Sequence, residues 1–257
     1  MRGAIHARLR RWNKRHKLYR RMGRHIRQAG HTRGPSVVLT GLPRIGKSLL
    51  AKRLCVEHGY VHVPLDSALS YLRLHGNDDA RYRARMQLVD WLLQHGPKGL
   101  CIEGSDLHEG FPHYRALVAR RSAGEIGAGR DLALPEGALR DLADRVGARG
   151  AALFIAGYSD SYDAKRRALH RHRATGQCHT STKFDDVQIE HLADIIVDLS
   201  RDYARECRVA GVPFLEISAI DFDASINRCV AQIADTLSLS APENMASRAV
   251  SPRHAAP

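Results

Sequence analysis

The stretch from Ser36 to Lys52, Ser-Val-Val-Leu-Thr-Gly-Leu-Pro-Arg-Ile-Gly-Lys-Ser-Leu-Leu-Ala-Lys, limits the possible folds more than any other part of the chain. Gly41 to Ser48 fits G-x-x-x-x-G-K-[ST], with a β-branched apolar run before it and the helix-forming Leu-Leu-Ala-Lys-Arg-Leu after it. A strand that passes through two glycines into a helix makes a phosphate-binding loop. Backbone N–H groups wrap a polyphosphate only where no Cβ intervenes, a freedom that Gly41 and Gly46 supply. The helix starting near Lys47 aims its unpaired N–H groups and positive dipole end at the same anion. The expected nucleotide-binding residues are Gly41, Leu42, Pro43, Arg44, Ile45, Gly46, Lys47, Ser48 and Leu49. Lys47 is expected to bridge the β- and γ-phosphates of ATP, and the Ser48 hydroxyl to hold Mg²⁺.

Beyond the loop the chain alternates strand and helix. Helix over residues 47–58, stopped by His58-Gly59, leads to an apolar run at 60–65 that ends in Asp66. Helices are expected at 67–75 and 79–95, a third strand at 99–103, and patchy helix over 111–148. A fourth strand at 151–156 precedes a very basic helix at 161–173 and a long amphipathic helix at 187–209. A fifth strand at 212–217 and a helix at 224–237 complete the pattern. Five apolar runs separated by helices predict an α/β fold, a mostly parallel five-stranded sheet with helices on both faces.

The formal charge of +13 resembles that of a nucleic-acid binder, but residues 1–33 hold twelve of the forty Lys and Arg and no acid. Residues 34–257 are then nearly neutral, with 28 basic against 27 acidic side chains, so nucleic acid is the less favoured partner. Three segments follow: a basic extension (1–33), a folded domain (34–240) and a small, polar, Pro-containing tail (241–257). In the extension, Ile5, Leu9, Trp12, His16, Tyr19, Met22 and Ile26 recur at helical spacing among arginines. Such a helix suits an anionic membrane surface or an acidic partner, while its like-charge repulsion favours a disordered tail. Five scattered cysteines and the absence of an H-E-x-x-H pair point away from a disulfide framework or zinc site, and no apolar run spans a membrane. A cytoplasmic protein, peripheral at the membrane if the extension engages it, is the expectation.

In parallel sheets the ligand sits beyond the carboxyl ends of the strands. There the second strand ends at Asp66, the third at Glu103 with Asp106 following, and the fourth opens on Tyr158, Asp160 and the basic helix. Asp66 is the candidate to meet an acceptor hydroxyl, and Glu103 to hold Mg²⁺ directly or through water. Either carboxylate can equally serve as a helix cap or a solvated loop residue.

The loop, Asp66 with Arg73 seven residues on, Ile102-Glu103-Gly104, and the run Lys165, Arg166, Arg167, Arg171, Arg173 resemble the P-loop kinase superfamily, including shikimate-kinase-like and zeta-toxin-like proteins. The resemblance covers about residues 36–238 and implies a P-loop NTPase fold and transfer of the ATP γ-phosphoryl group to a small hydroxyl- or phosphate-bearing acceptor. It also implies that Arg167, Arg171 and Arg173 belong to a lid over the transferring phosphate; a solvated basic helix is the other reading of the same run. Leu42-Pro43-Arg44 and Pro213-Phe214-Leu215-Glu216 are similar to sulfotransferases of the same fold, which use an adenosine phosphosulfate donor. A third reading is a nucleotide-binding membrane or scaffold protein without catalysis. Thr182-Lys183-Phe184-Asp185 and Ser218-Ala219 mimic guanine-recognition motifs, but no D-x-x-G follows the third strand.

Overall fold

The computed structural model describes residues 34–67, 78–105, 107, 114–126, 134, 137–175 and 184–238, together with Gly23 and Ile26. The remainder of the extension, most of the helix expected at 67–75, Asp106, Thr182-Lys183 and the tail lie outside these residues.

Five parallel strands, β1 (Val37–Gly41), β2 (Val61–Pro64), β3 (Leu100–Glu103), β4 (Ala152–Tyr158) and β5 (Phe214–Ile217), form one sheet in the order β2-β3-β1-β4-β5. β1 is central, pairing Val38 with Ile102 of β3 and Leu39 with Phe154 of β4. The hydropathy of each strand follows its place. β1 and β3 are buried at every position, whereas the edge strands β2 and β5 alternate between buried and more exposed residues. This is the α/β architecture of P-loop NTPases.

The helices among the described residues include α1 (Lys47–His58), α2 (Asp78–His95), α3 (Tyr114–Ser122), α4 (Ala138–Gly147), α5 (Tyr162–Ala174), α6 (Asp186–Ala210) and α7 (Phe222–Thr236). α1 packs against β1, β2, β3 and α7, while α6 lies on β4 and gathers α3, α4 and α5 around it. α6 is the best-delimited helix. Asp185 and Gln188 form a reciprocal capping box at its start, and Gly211 ends it in a left-handed cap. Among the described residues no helix is long and apolar enough to cross a membrane.

The strands depart from their sequence-based bounds where tertiary pairing decides. β4 continues two residues past Ala156, because Gly157 and Tyr158 still find partners in Glu216 and Ile217 of β5. β2 stops at Pro64, and Leu65 to Ser67 begin a helical turn that carries Asp66. Among the described residues of 111–148, α3 and α4 form as separate helices.

The extension also reaches the body. Ile26 is 2 % exposed and belongs to the same hydrophobic core as β1, α1 and α6.

Candidate functional site

β1 turns at Gly41, where φ is 123° and an added Cβ would lie 2.0 Å from the Ala156 carbonyl oxygen of β4. The neighbouring strand thus requires a glycine here. Gly46 caps α1 at φ 101°, with no side-chain hydrogen bond to the helix N-terminus. A Cβ at Gly46 would meet the Phe222 ring at 3.0 Å, so α7 closes against this side of the loop. Between the glycines, Arg44 adopts φ 64°, a left-handed conformation unusual for a residue with a Cβ.

Lys47, only 4 % exposed, folds its ammonium back over the loop. Its Nζ donates to the carbonyls of Gly41 (3.2 Å) and Leu42 (2.5 Å) and to Ser105 Oγ (3.1 Å). One residue on, Ser48 Oγ donates to Glu103 Oε2 at 3.2 Å, which brings the start of α1 to the end of β3. His62 Nε2, on β2, lies 3.3 Å from the same carboxylate oxygen. Burial raises the Glu103 pKa, but the His62 hydrogen bond, the Lys47 charge and the Ser48 hydroxyl together bring it below the ordinary carboxylate value. Glu103 is therefore an ionised, largely buried carboxylate beside a hydroxyl.

Asp66 lies at the same end of the sheet and is half exposed, with Oδ1 accepting from Arg85 Nη2 of α2 at 3.1 Å. Arg85 itself is 6 % exposed, and its Nε has no partner. A buried guanidinium with a spare donor beside a carboxylate is a place where an anionic group can be received.

The basic helix α5 divides its charges between two sides. Arg166 pairs with Asp194 of α6 at 2.9 Å, and Arg173 pairs with Asp186 and donates to the Phe184 carbonyl at 3.1 Å. Arg121 of α3 joins Asp194 and Asp198, and Tyr162 OH donates to Asp198 at 2.5 Å, so α3, α5 and α6 are tied by one ionic network. Arg167 and Arg171 are exposed. Lys165 faces the loop: its Nζ, 3 % exposed as a residue, donates to the Arg44 carbonyl at 2.7 Å and sits 4.4 Å above the Tyr158 ring centroid.

At the end of β4, Asp160 accepts from Ser218 Oγ (2.8 Å), Ala219 N–H (2.5 Å) and Ile220 N–H (3.3 Å). Burial raises its pKa, but these donors outweigh burial and hold the carboxyl below its ordinary value. Ser218-Ala219 thus serves to anchor the β5–α7 turn on Asp160.

The structure gathers Lys47, Ser48 and Glu103 at one point, places Asp66 at the end of β2, and commits Arg173 to α6. Sequence reasoning missed His62, Arg85 and Lys165 as members of the site. The Lys165 signal was present in helical periodicity: with Leu169 and His172 it occupies i, i+4, i+7, the inward side of α5, where a lysine is unusual.

No family model and no curated protein matches the chain. Solved structures do. Shikimate kinase from Bacteroides thetaiotaomicron is 13 % identical over 80 % of this chain and 99 % of its own, with a TM-score of 0.45. A gluconokinase from Sinorhizobium meliloti 1021 is 14 % identical over 81 % and 98 %, with a TM-score of 0.42. A chain of the PezAT chromosomal toxin–antitoxin system of Streptococcus pneumoniae is 15 % identical over 80 % and 77 %, also at 0.42. At these identities and scores no side chain is carried over from them.

Proposed function

We propose that the chain is an ATP-dependent phosphotransferase of the P-loop kinase type, acting on a small hydroxyl- or phosphate-bearing acceptor. The observation that carries this reading is the Ser48–Glu103 pair beside Lys47: a hydroxyl and an ionised carboxylate oxygen 3.2 Å apart, next to a buried ammonium and an uncapped helix N-terminus. Hard oxygen donors of this kind suit Mg²⁺, which keeps most of its waters and takes only one or two protein ligands. The uncapped N-terminus and Lys47 suit the polyphosphate. When bound, ATP–Mg²⁺ would supply the phosphoryl group and neutralise part of its charge.

The chain's own residues then divide the work. Lys47, released from the loop carbonyls, stabilises charge on the phosphates. Glu103 keeps Ser48 oriented, and His62 keeps Glu103 in place. Asp66 orients the acceptor hydroxyl and takes up its proton, and Arg85 beside it receives an anionic group of the acceptor. Arg167 and Arg171 are the α5 side chains free to reach a transferring phosphate, while Arg173 reaches it only by leaving Asp186.

The donor decides between this reading and the sulfotransferase-like one. Thermal melting is measured with ATP–Mg²⁺, ATP plus a chelator, and adenosine 3′,5′-bisphosphate. Stabilisation by ATP that depends on Mg²⁺ is expected; stabilisation by the bisphosphate alone, indifferent to the chelator, would overturn the assignment.

A further inference from the structure

We propose that Lys165 is a proton-accepting brace of the phosphate loop. It holds the Arg44 carbonyl and takes a proton from solvent when a polyphosphate binds, so that loading of the loop is coupled to proton uptake. The inference rests on the nucleotide-binding reading above and adds to it a positioning residue from outside the loop motif.

Arg44 sits in the left-handed region at φ 64°, the most constrained non-glycine turn of the loop, and its carbonyl is fixed by Lys165 Nζ at 2.7 Å from across the crevice. The contact joins residues 121 positions apart, so it links α5 to the loop directly. Lys165 is 3 % exposed, with its amine over the Tyr158 ring at 4.4 Å. Its hydrogen bond goes to a neutral carbonyl rather than to a carboxylate.

The charged surroundings explain why this amine changes state. Lys47 from α1 and Arg44 from the loop are like charges; Asp160 from the end of β4 is the opposing one, but its oxygens are occupied by Ser218, Ala219 and Ile220. On its own helix, His172 lies within electrostatic reach of Lys165, Arg44 and Arg171, and Arg167 within reach of Tyr158. Burial, helped by Lys47 and Arg44 and opposed by Asp160, brings the Lys165 pKa down to about 7. His172 is likewise held below its ordinary value, by burial first and then by Lys165 and Arg44. A polyphosphate on the loop reverses the sign of this field and favours the ammonium.

Calorimetric titration with ATP–Mg²⁺ at pH 8, in two buffers of different ionisation heat, reads the protons taken up. The wild-type chain is expected to take up a substantial fraction of a proton more than Lys165→Met, whose His172 is intact. Its affinity should also fall as pH rises above 7, by up to about tenfold per pH unit. Lys165→Arg, permanently charged, should bind without that pH slope, and it decides the matter if Lys165→Met fails to fold. Equal proton uptake and equal pH slopes in the wild type and Lys165→Arg would overturn this inference and leave the nucleotide site standing. Absence of ATP binding in the wild type would remove both.

Discussion

Ser48 Oγ and Glu103 Oε2 lie 3.2 Å apart although 55 residues separate them, because parallel pairing of β1 with β3 brings the start of α1 beside the end of β3. The hydroxyl of the G-x-x-x-x-G-K-[ST] motif and a strand-end carboxylate thereby become one oxygen pair. If that pair holds Mg²⁺, Glu103→Gln weakens metal binding selectively: the Mg²⁺ concentration giving half-maximal ATP stabilisation should rise by about tenfold or more. An unchanged Mg²⁺ midpoint in a folded Glu103→Gln protein would separate Glu103 from the metal.

The division of charges on α5 gives a second prediction. Arg167→Ala and Arg171→Ala should leave stability within about 0.5 kcal/mol of the wild type, as for exposed side chains. Each should lower turnover by about a hundredfold if it reaches the transferring phosphate. Arg173→Ala should instead cost about 1 kcal/mol of stability, since Arg173 is held by Asp186 and the Phe184 carbonyl. Denaturant melts beside kcat on all three variants check this, and loss of turnover in Arg173→Ala alone would reverse it.

The sheet and the loop were legible in the sequence because each rests on a local pattern. Buried strands are continuous apolar runs, α1 begins at the motif and ends at Gly59, and both are written within a dozen residues. The side chains around the loop were only partly legible. His62 meets Glu103 through strand pairing, Arg85 meets Asp66 from a different helix, and Lys165 meets Arg44 from the helix that follows β4. A charge run such as 165–173 has the same composition whichever side faces the ligand. Only its phase relative to Leu169, set by packing on α6 and the loop, separates Lys165 from Arg166 and Arg173.

Gly41 tests the strand contact rather than the ligand. With φ 123° and the Ala156 carbonyl oxygen 2.0 Å from an added Cβ, Gly41→Ala must displace β1 from β4. The expected cost is about 3 kcal/mol or more, visible in the absence of nucleotide. Gly137→Ala, also at positive φ (75°) but facing open space, is the control and should cost about 1 kcal/mol. Equal melting temperatures for the two variants would contradict the packing.

Lys165 makes stability pH-dependent in a definite direction. Its pKa is about 7 in the folded chain against an ordinary lysine value of 10.5, so between these values the unfolded chain binds more protons than the folded one. Stability contributed by this group therefore rises with pH across that window, and burial of the ammonium costs most below pH 7. Lys165→Met should gain on the wild type in ligand-free melts at pH 6, and the gap should shift back toward the wild type by pH 10. A pH-independent difference would mean that Lys165 does not change charge in the folded protein.

Ile26 changes what removal of the basic extension should do. From charge alone, residues 1–33 would be an appendage whose loss leaves the body intact. Ile26 is nevertheless 2 % exposed and part of the core. Truncating a buried isoleucine to alanine typically costs about 2–5 kcal/mol, from lost transfer free energy and the cavity left behind. Ile26→Ala and deletion of 1–33 should therefore both lower the melting temperature, whereas deletion of 1–22 should spare Ile26 and the stability it gives. Binding to anionic vesicles, if the arginines and Trp12 engage a membrane, should instead follow residues 1–22 and weaken as salt rises, each basic side chain adding about 1 kcal/mol near a charged surface. Unchanged melting after removal of 1–33 would show that Ile26 adds no stability; vesicle binding retained without 1–22 would place the membrane contact elsewhere.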